Sequence, residues 1–248
     1  MPHEQIVIQT CDGACPAHVF SPTGNGPWPA SIFFMDAGGI RPASLEMAKR
    51  LADGGYVVLI PDLFYRYGPY KTIVPKEVFK GDVMAVLGPL MATTDNKKAA
   101  QDCGAFLSYL DTREDVAGNK IGAVGFCMGG GMALSAAATY PRRFAAAASF
   151  HGGNLATDSP TSPHHLVSRM AANVYIAAAD GDELYPPAMA KKFEDTLTKF
   201  RVQYRADTYP GASHGWMKPD FPVYNVEAAE RGWRELFAFY ERNLSNTS

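Results

Sequence analysis

Ile121-Gly122-Ala123-Val124-Gly125-Phe126-Cys127-Met128-Gly129-Gly130-Gly131 is an apolar stretch of strand length that runs straight into a glycine-lined helix start. Glycine two residues before and two residues after Cys127 suits a sharp, strained strand-to-helix turn, where backbones pass too close for a β-carbon. Such a turn lifts Cys127 to the end of a sheet. The start of a helix also favours thiolate through its partial positive charge and free N–H groups. A dinucleotide-binding turn competes with this reading, but it expects Gly-x-Gly-x-x-Gly after the first strand, and this stretch lies mid-chain. An inert buried cysteine is the other competitor, and the partners that follow it in sequence argue against it.

Working outward, apolar runs alternate with segments of helical period, the pattern of parallel βαβ units. A hairpin is expected over Gln5 to Thr10 and Ala17 to Phe20, followed by strands at Ser31 to Met35, Tyr56 to Pro61, Lys120 to Gly125, Ala145 to Phe150, Val174 to Ala179 and Val202 to Tyr209. Near-continuous apolarity suits strands covered on both faces. Pro42 opens the first helix, Leu45, Ala48, Leu51 and Ala52 stripe it, and Gly54-Gly55 ends it. Further helices are expected over Ala99 to Leu110, Met128 to Tyr140, Ala188 to Phe200 and about Asn225 to Arg242. The fold class is α/β, a mostly parallel central sheet with helices on both faces, in one domain spanning 1–248. The long connection from about Leu63 to Asp95 is rich in aromatic and basic residues, is predicted to hold a short helix over Lys76 to Leu87, and is a candidate lid or binding insertion.

Composition narrows the function classes. Of 248 residues, 47% are hydrophobic and 19% charged, with a net charge of −2 and scattered basic residues, which argues against a nucleic-acid partner. Met1-Pro2-His3-Glu4-Gln5 has neither the basic start nor the apolar run of a signal peptide, and no stretch is long and apolar enough for a membrane span; a cytoplasmic location is the expectation. The four cysteines are expected as thiols. Cys11 and Cys15 flank a turn without the companions of a zinc site, and Cys103 sits in an apolar stripe with Ala99, Phe106, Leu107 and Leu110.

A cysteine nucleophile needs a base and an acid that orients it, in the chain order nucleophile, acid, base. After the strand ending at Ala179 comes Asp180-Gly181-Asp182-Glu183, and after the strand ending at Tyr209 comes Gly211-Ala212-Ser213-His214-Gly215-Trp216. Both follow carboxyl ends of strands, where α/β folds assemble their sites. His214 is the expected base. Asp182 is preferred over Asp180 as the acid, since one of the two is free to serve the turn. His151 follows another strand end, either lining the pocket or satisfied there.

Together, Gly-Phe-Cys-Met-Gly-Gly at 125–130, Asp182 before Glu-Leu-Tyr-Pro, Gly-Ala-Ser-His-Gly-Trp at 211–216 and Tyr56 to Leu63 resemble the dienelactone hydrolase family of α/β-hydrolases, from the first strand to the last helix. The resemblance implies a Cys127, Asp182 and His214 triad, an oxyanion hole of the Met128 and Ala37 N–H groups, an acyl-thioester intermediate and no metal or other cofactor. The implied partner is a small-molecule ester or lactone, cleaved by a monomer or homodimer. The family's thiol-controlling glutamate corresponds to Asp36, expected to contact Cys127 or bind substrate. Trp216 is a further candidate beside the base. Lys218 and Arg66 are candidate cations for a substrate carboxylate, with a solvated surface role as the competing reading of each. A broader carboxylesterase or thioesterase would use the same triad; a non-catalytic binder or thiol redox sensor would need neither His214 nor Asp182.

Overall fold

The computed structural model describes residues 1–244. Eight strands form one sheet: β1 (His3–Thr10), β2 (Gly13–Phe20), β3 (Ala30–Phe34), β4 (Val57–Pro61), β5 (Ile121–Phe126), β6 (Phe144–Phe150), β7 (Asn173–Ala179) and β8 (Tyr204–Tyr209). Their spatial order is β1-β2-β4-β3-β5-β6-β7-β8. The β1–β2 and β2–β4 pairs are antiparallel, and every pair from β4 to β8 is parallel. The helices are α1 (Pro42–Asp53), α2 (Pro75–Val78), α3 (Val83–Met91), α4 (Asn96–Asp111), α5 (Met128–Thr139), α6 (Pro187–Lys199) and α7 (Val226–Leu244).

Alternation along β5 builds two cores. Ile121 and Ala123 join a cluster with Phe106 and Leu110 of α4, Leu134 of α5 and Phe193 of α6. Val124 and Phe126 join the opposite cluster with Met47 and Leu51 of α1 and Trp233 and Leu236 of α7. Side chains of successive strand residues point to opposite faces, so a strand buried on both has no polar positions left to alternate. Every residue of β5 is buried. Carboxyl ends of β3 and β5 lie side by side, with Phe34 opposite Gly125, and β6 continues the row with Phe150 opposite Phe126.

Two expectations need correction. β2 begins at Gly13, not Ala17, because the turn is tight: Thr10 pairs with Gly13, and its hydroxyl donates to the Gly13 carbonyl at 2.9 Å. The single helix expected over Lys76 to Leu87 is two. Asp82 accepts from the Met84 and Ala85 N–H groups at 3.0 Å and caps a fresh start at α3 instead of continuing α2. Among the described residues, no helix is long and apolar enough to cross a membrane.

Candidate active site

The turn after β5 has the strain its glycines anticipate. Cys127 adopts φ 55° and ψ −121°, a region that a residue with a side chain rarely occupies. A β-carbon on Gly125 would meet the Gly129 carbonyl oxygen at 1.8 Å, and one on Gly129 would meet the Phe34 carbonyl oxygen at 2.3 Å. The helix therefore starts directly against the backbone at the end of β3. As the first residue of α5, Met128 has an N–H without an intrahelical partner.

Three side chains from three strand ends meet at this turn. His214 Nε2 lies 3.1 Å from Cys127 Sγ, and His214 Nδ1 lies 2.7 Å from Asp182 Oδ2. A carboxylate only accepts, so Nδ1–H is the donor and Nε2 faces the sulfur. The side chain of Asp182 is 2% exposed and that of His214 22%. The other Asp182 oxygen accepts the Leu184 N–H at 2.9 Å. Asp180 instead accepts the Gly211 N–H at 2.9 Å, fastening the loop that bears His214. The competition between the two aspartates thus ends with Asp182 on the histidine and Asp180 in the turn. Burial alone would lower the His214 pKa, but hydrogen bonds to Asp182 and Cys127 and the charges of both outweigh it and push it up to about 10.

Cys127 opens into a cleft of about 310 Å³, shared with His214 and with Met91, Thr94 and Asp95 from the end of the long connection. Cys15 and Cys103 are buried, and burial pushes both thiols up; all four cysteines are free. A larger hollow near Asp62 and Tyr70 is lined by the start of the same connection and does not include Cys127.

His151 is not a pocket wall but a buried support. Its Nδ1 accepts the Cys127 N–H at 3.2 Å, a donor shared with the Phe150 carbonyl at 3.1 Å. The proton of its neutral ring is then on Nε2, which has no hydrogen-bond partner among the described residues. Burial, then the nearby His214 and Lys218, keeps its pKa well below the ordinary histidine value, so it stays neutral.

The remaining candidates lie away from the thiol. Asp36 is fully buried, and its carboxylate faces Lys218 Nζ at 2.7 Å, Arg41 at 2.9 Å and the Gly38 N–H at 2.7 Å instead of Cys127. Burial would raise its pKa; the charges of Lys218 and Arg41 hold it well below the usual carboxylate range. Lys218 is 0% exposed, which corrects the solvated reading of it. Its ammonium lies 5.0 Å from the Phe126 ring. Arg66 is neither solvated nor in the cleft: it forks onto Asp102 at 2.7 and 2.9 Å and reaches Asp12. That guanidinium also sits among the Cys11, Asp12 and Asp102 ligand atoms that would otherwise be grouped closely enough for a cation. Trp216 is fully buried and stacks on Tyr209 with ring centroids 4.3 Å apart.

Arg41 and Asp220 were not singled out by sequence. Arg41 bridges Asp36 and Asp220, with Nε 2.6 Å from Asp220 Oδ2. One signal was available. An arginine just before Pro42 sets a cation at the start of α1, against the preference of the helix dipole, and so calls for an acidic partner.

The chain matches the sequence model of the Dienelactone hydrolase family over residues 15–244. A Synechocystis sp. protein provisionally named carboxymethylenebutenolidase is 25% identical over 232 residues, covering 92% of this chain and 91% of that one. A Bradyrhizobium sp. protein provisionally named 2-oxo-3-(5-oxofuran-2-ylidene)propanoate lactonase is 25% identical over 232 residues, covering 92% and 89%. Among crystal structures, a Klebsiella pneumoniae protein provisionally described as a dienelactone hydrolase superposes with a TM-score of 0.85 at 22% identity, covering 97% and 98%. The dienelactone hydrolase of Anabaena variabilis gives 0.66 at 18% identity, covering 98% of each chain. The architecture is the α/β-hydrolase fold.

Proposed function

The chain belongs to the dienelactone hydrolase family, and on that premise we propose that it hydrolyses a small lactone or carboxylic ester with Cys127, His214 and Asp182. The observation that carries this reading is the unbroken chain from sulfur to imidazole to buried carboxylate, 3.1 and 2.7 Å, at a strained turn that opens into a cleft. With its proton passed to His214 Nε2, the Cys127 sulfur attacks the carbonyl carbon as thiolate and forms a C–S bond, while the carbonyl π electrons move to oxygen. The Met128 and Ala37 N–H groups stabilise that oxyanion. As it collapses, the C–O bond breaks and the His214 imidazolium gives its Nε2 proton to the leaving alkoxide. With a lactone, that hydroxyl stays tethered to the acyl group. A water molecule, deprotonated by His214, then attacks the thioester carbonyl; the C–S bond breaks and the acid leaves.

Asp182 fixes the tautomer and stabilises the imidazolium, as the third member of such arrangements does. His151 holds the Cys127 backbone from beneath, a positioning role. The long connection, whose end walls the cleft, acts as the substrate cover. Turnover of p-nitrophenyl esters and of a five-membered lactone by wild type and Cys127→Ala tests the reading. A loss of about 10⁴-fold or more in kcat is expected; full activity in Cys127→Ala would overturn the assignment.

A further inference from the structure

The cleft that holds Cys127 is walled by four flexible apolar side chains, Met91, Met128, Met132 and Leu184, and carries one carboxylate, Asp95. Unbranched thioether side chains adapt to apolar groups of varied shape. Asp95 accepts the Lys98 N–H at 2.8 Å as the cap of α4, an interaction that Asn would also make. None of the cleft-lining residues among the described residues is a lysine or arginine. Of the nearby cations, Arg41 and Lys218 pair with Asp36, Arg66 pairs with Asp102 and Asp12, and the Lys98 ammonium, outside the cleft lining, keeps its charge and donates to the Thr93 carbonyl at 3.2 Å. Lys97 lines a separate hollow beside α4.

Asp95 is the carboxylate that a substrate in the cleft faces, and no lysine or arginine among the described residues lines the cleft to offset it. We infer that the site selects esters or lactones whose acyl part is uncharged and apolar, and that Asp95 disfavours substrates bearing a carboxylate. The inference rests on Cys127 being the nucleophile and names the substrate class for that same site.

The test compares two p-nitrophenyl esters of adipic acid: one with the second carboxyl free, the other with it masked as a methyl ester. The masked ester is expected to have a kcat/KM about tenfold higher at low ionic strength, with the ratio falling as salt is added. In Asp95→Asn, which removes the charge and keeps the cap, the ratio is expected to narrow about three- to tenfold. A free acid cleaved as well as or better than the masked ester would overturn the inference while leaving the nucleophile intact. A ratio insensitive both to salt and to Asp95→Asn would overturn the role of Asp95. Turnover of neither ester, with no acyl adduct on Cys127, would overturn the hydrolase reading beneath both.

Discussion

His214 and Lys218 stand four residues apart on the loop after β8, and the fold gives them opposite surroundings. His214 is 22% exposed at the cleft, bonded to a carboxylate on one side and a sulfur on the other. Lys218 is 0% exposed on the far side of Phe126, sealed against Asp36 in a cluster with Arg41 and Asp220. On the open side the proton has somewhere to go, so that arrangement suits chemistry. On the sealed side no charge can leave without stranding another. That cluster joins the loop after β3, which carries Ala37, to the loop that carries His214. One loop thus carries both the histidine at the cleft and the lysine that anchors it.

Removing each carboxylate in turn sharpens the contrast. Asp182→Asn is expected to lower kcat by about 10²- to 10⁴-fold, the range for a lost orienting acid. Asp182 contributes to the raised His214 pKa, so an NMR titration of His214 should show its proton leaving at a lower pH in the variant. The linked stability has a definite sign. A group whose pKa rises on folding stabilises the protein fully below its ordinary value, 6.5 here, and that contribution fades as pH climbs toward about 10. The stability lost in Asp182→Asn should therefore shrink over that alkaline window.

On the sealed side, Asp36→Asn strands Lys218 and leaves Arg41 with Asp220 alone, and about 3–5 kcal/mol of unfolding free energy should be lost, read by urea denaturation. Here the sign reverses. The Asp36 pKa is depressed, so its contribution is present above the ordinary aspartate value of 3.8 and fades as pH falls below it; the gap between wild type and variant should close in acid. An Asp36→Asn protein as stable as wild type would erase the distinction between the two sides.

The smallest effect is expected beneath the elbow. His151→Phe removes one acceptor from the Cys127 N–H, which keeps the Phe150 carbonyl at 3.1 Å, so a change of about 0.5–1.5 kcal/mol is expected in thermal unfolding. The rate of Cys127 alkylation should move with it, because the support acts on the thiol's position.

The features legible in the sequence were those written locally. Glycine spacing around Cys127, apolar runs, Pro42 at a helix start and strand-end motifs all lie within a few residues of what they specify. Every parallel strand of the sheet and five of the helices follow from such patterns, with ends displaced by a few residues. The Cys127, Asp182 and His214 meeting was legible because each follows a strand end and parallel strands deliver their ends to one side. Long-range partnerships were not. Arg66 meets Asp102 across 36 positions and Arg41 meets Asp220 across 179, and no periodicity encodes such pairs. The burial of Lys218 was hidden for the same reason: four residues from a partly open histidine, its fate depends on Asp36 on the loop after β3. The division of the 63–95 connection turned on Asp82, whose side chain caps a new helix instead of extending the preceding one.

The most direct measurement is mass spectrometry of the protein quenched in acid during turnover of a p-nitrophenyl ester. The account predicts an acyl mass on the peptide containing Cys127, released by hydroxylamine and accumulating further when His214 is replaced by Ala to slow deacylation. An acyl group on any other residue, or steady turnover by Cys127→Ala at the wild-type rate, would contradict it.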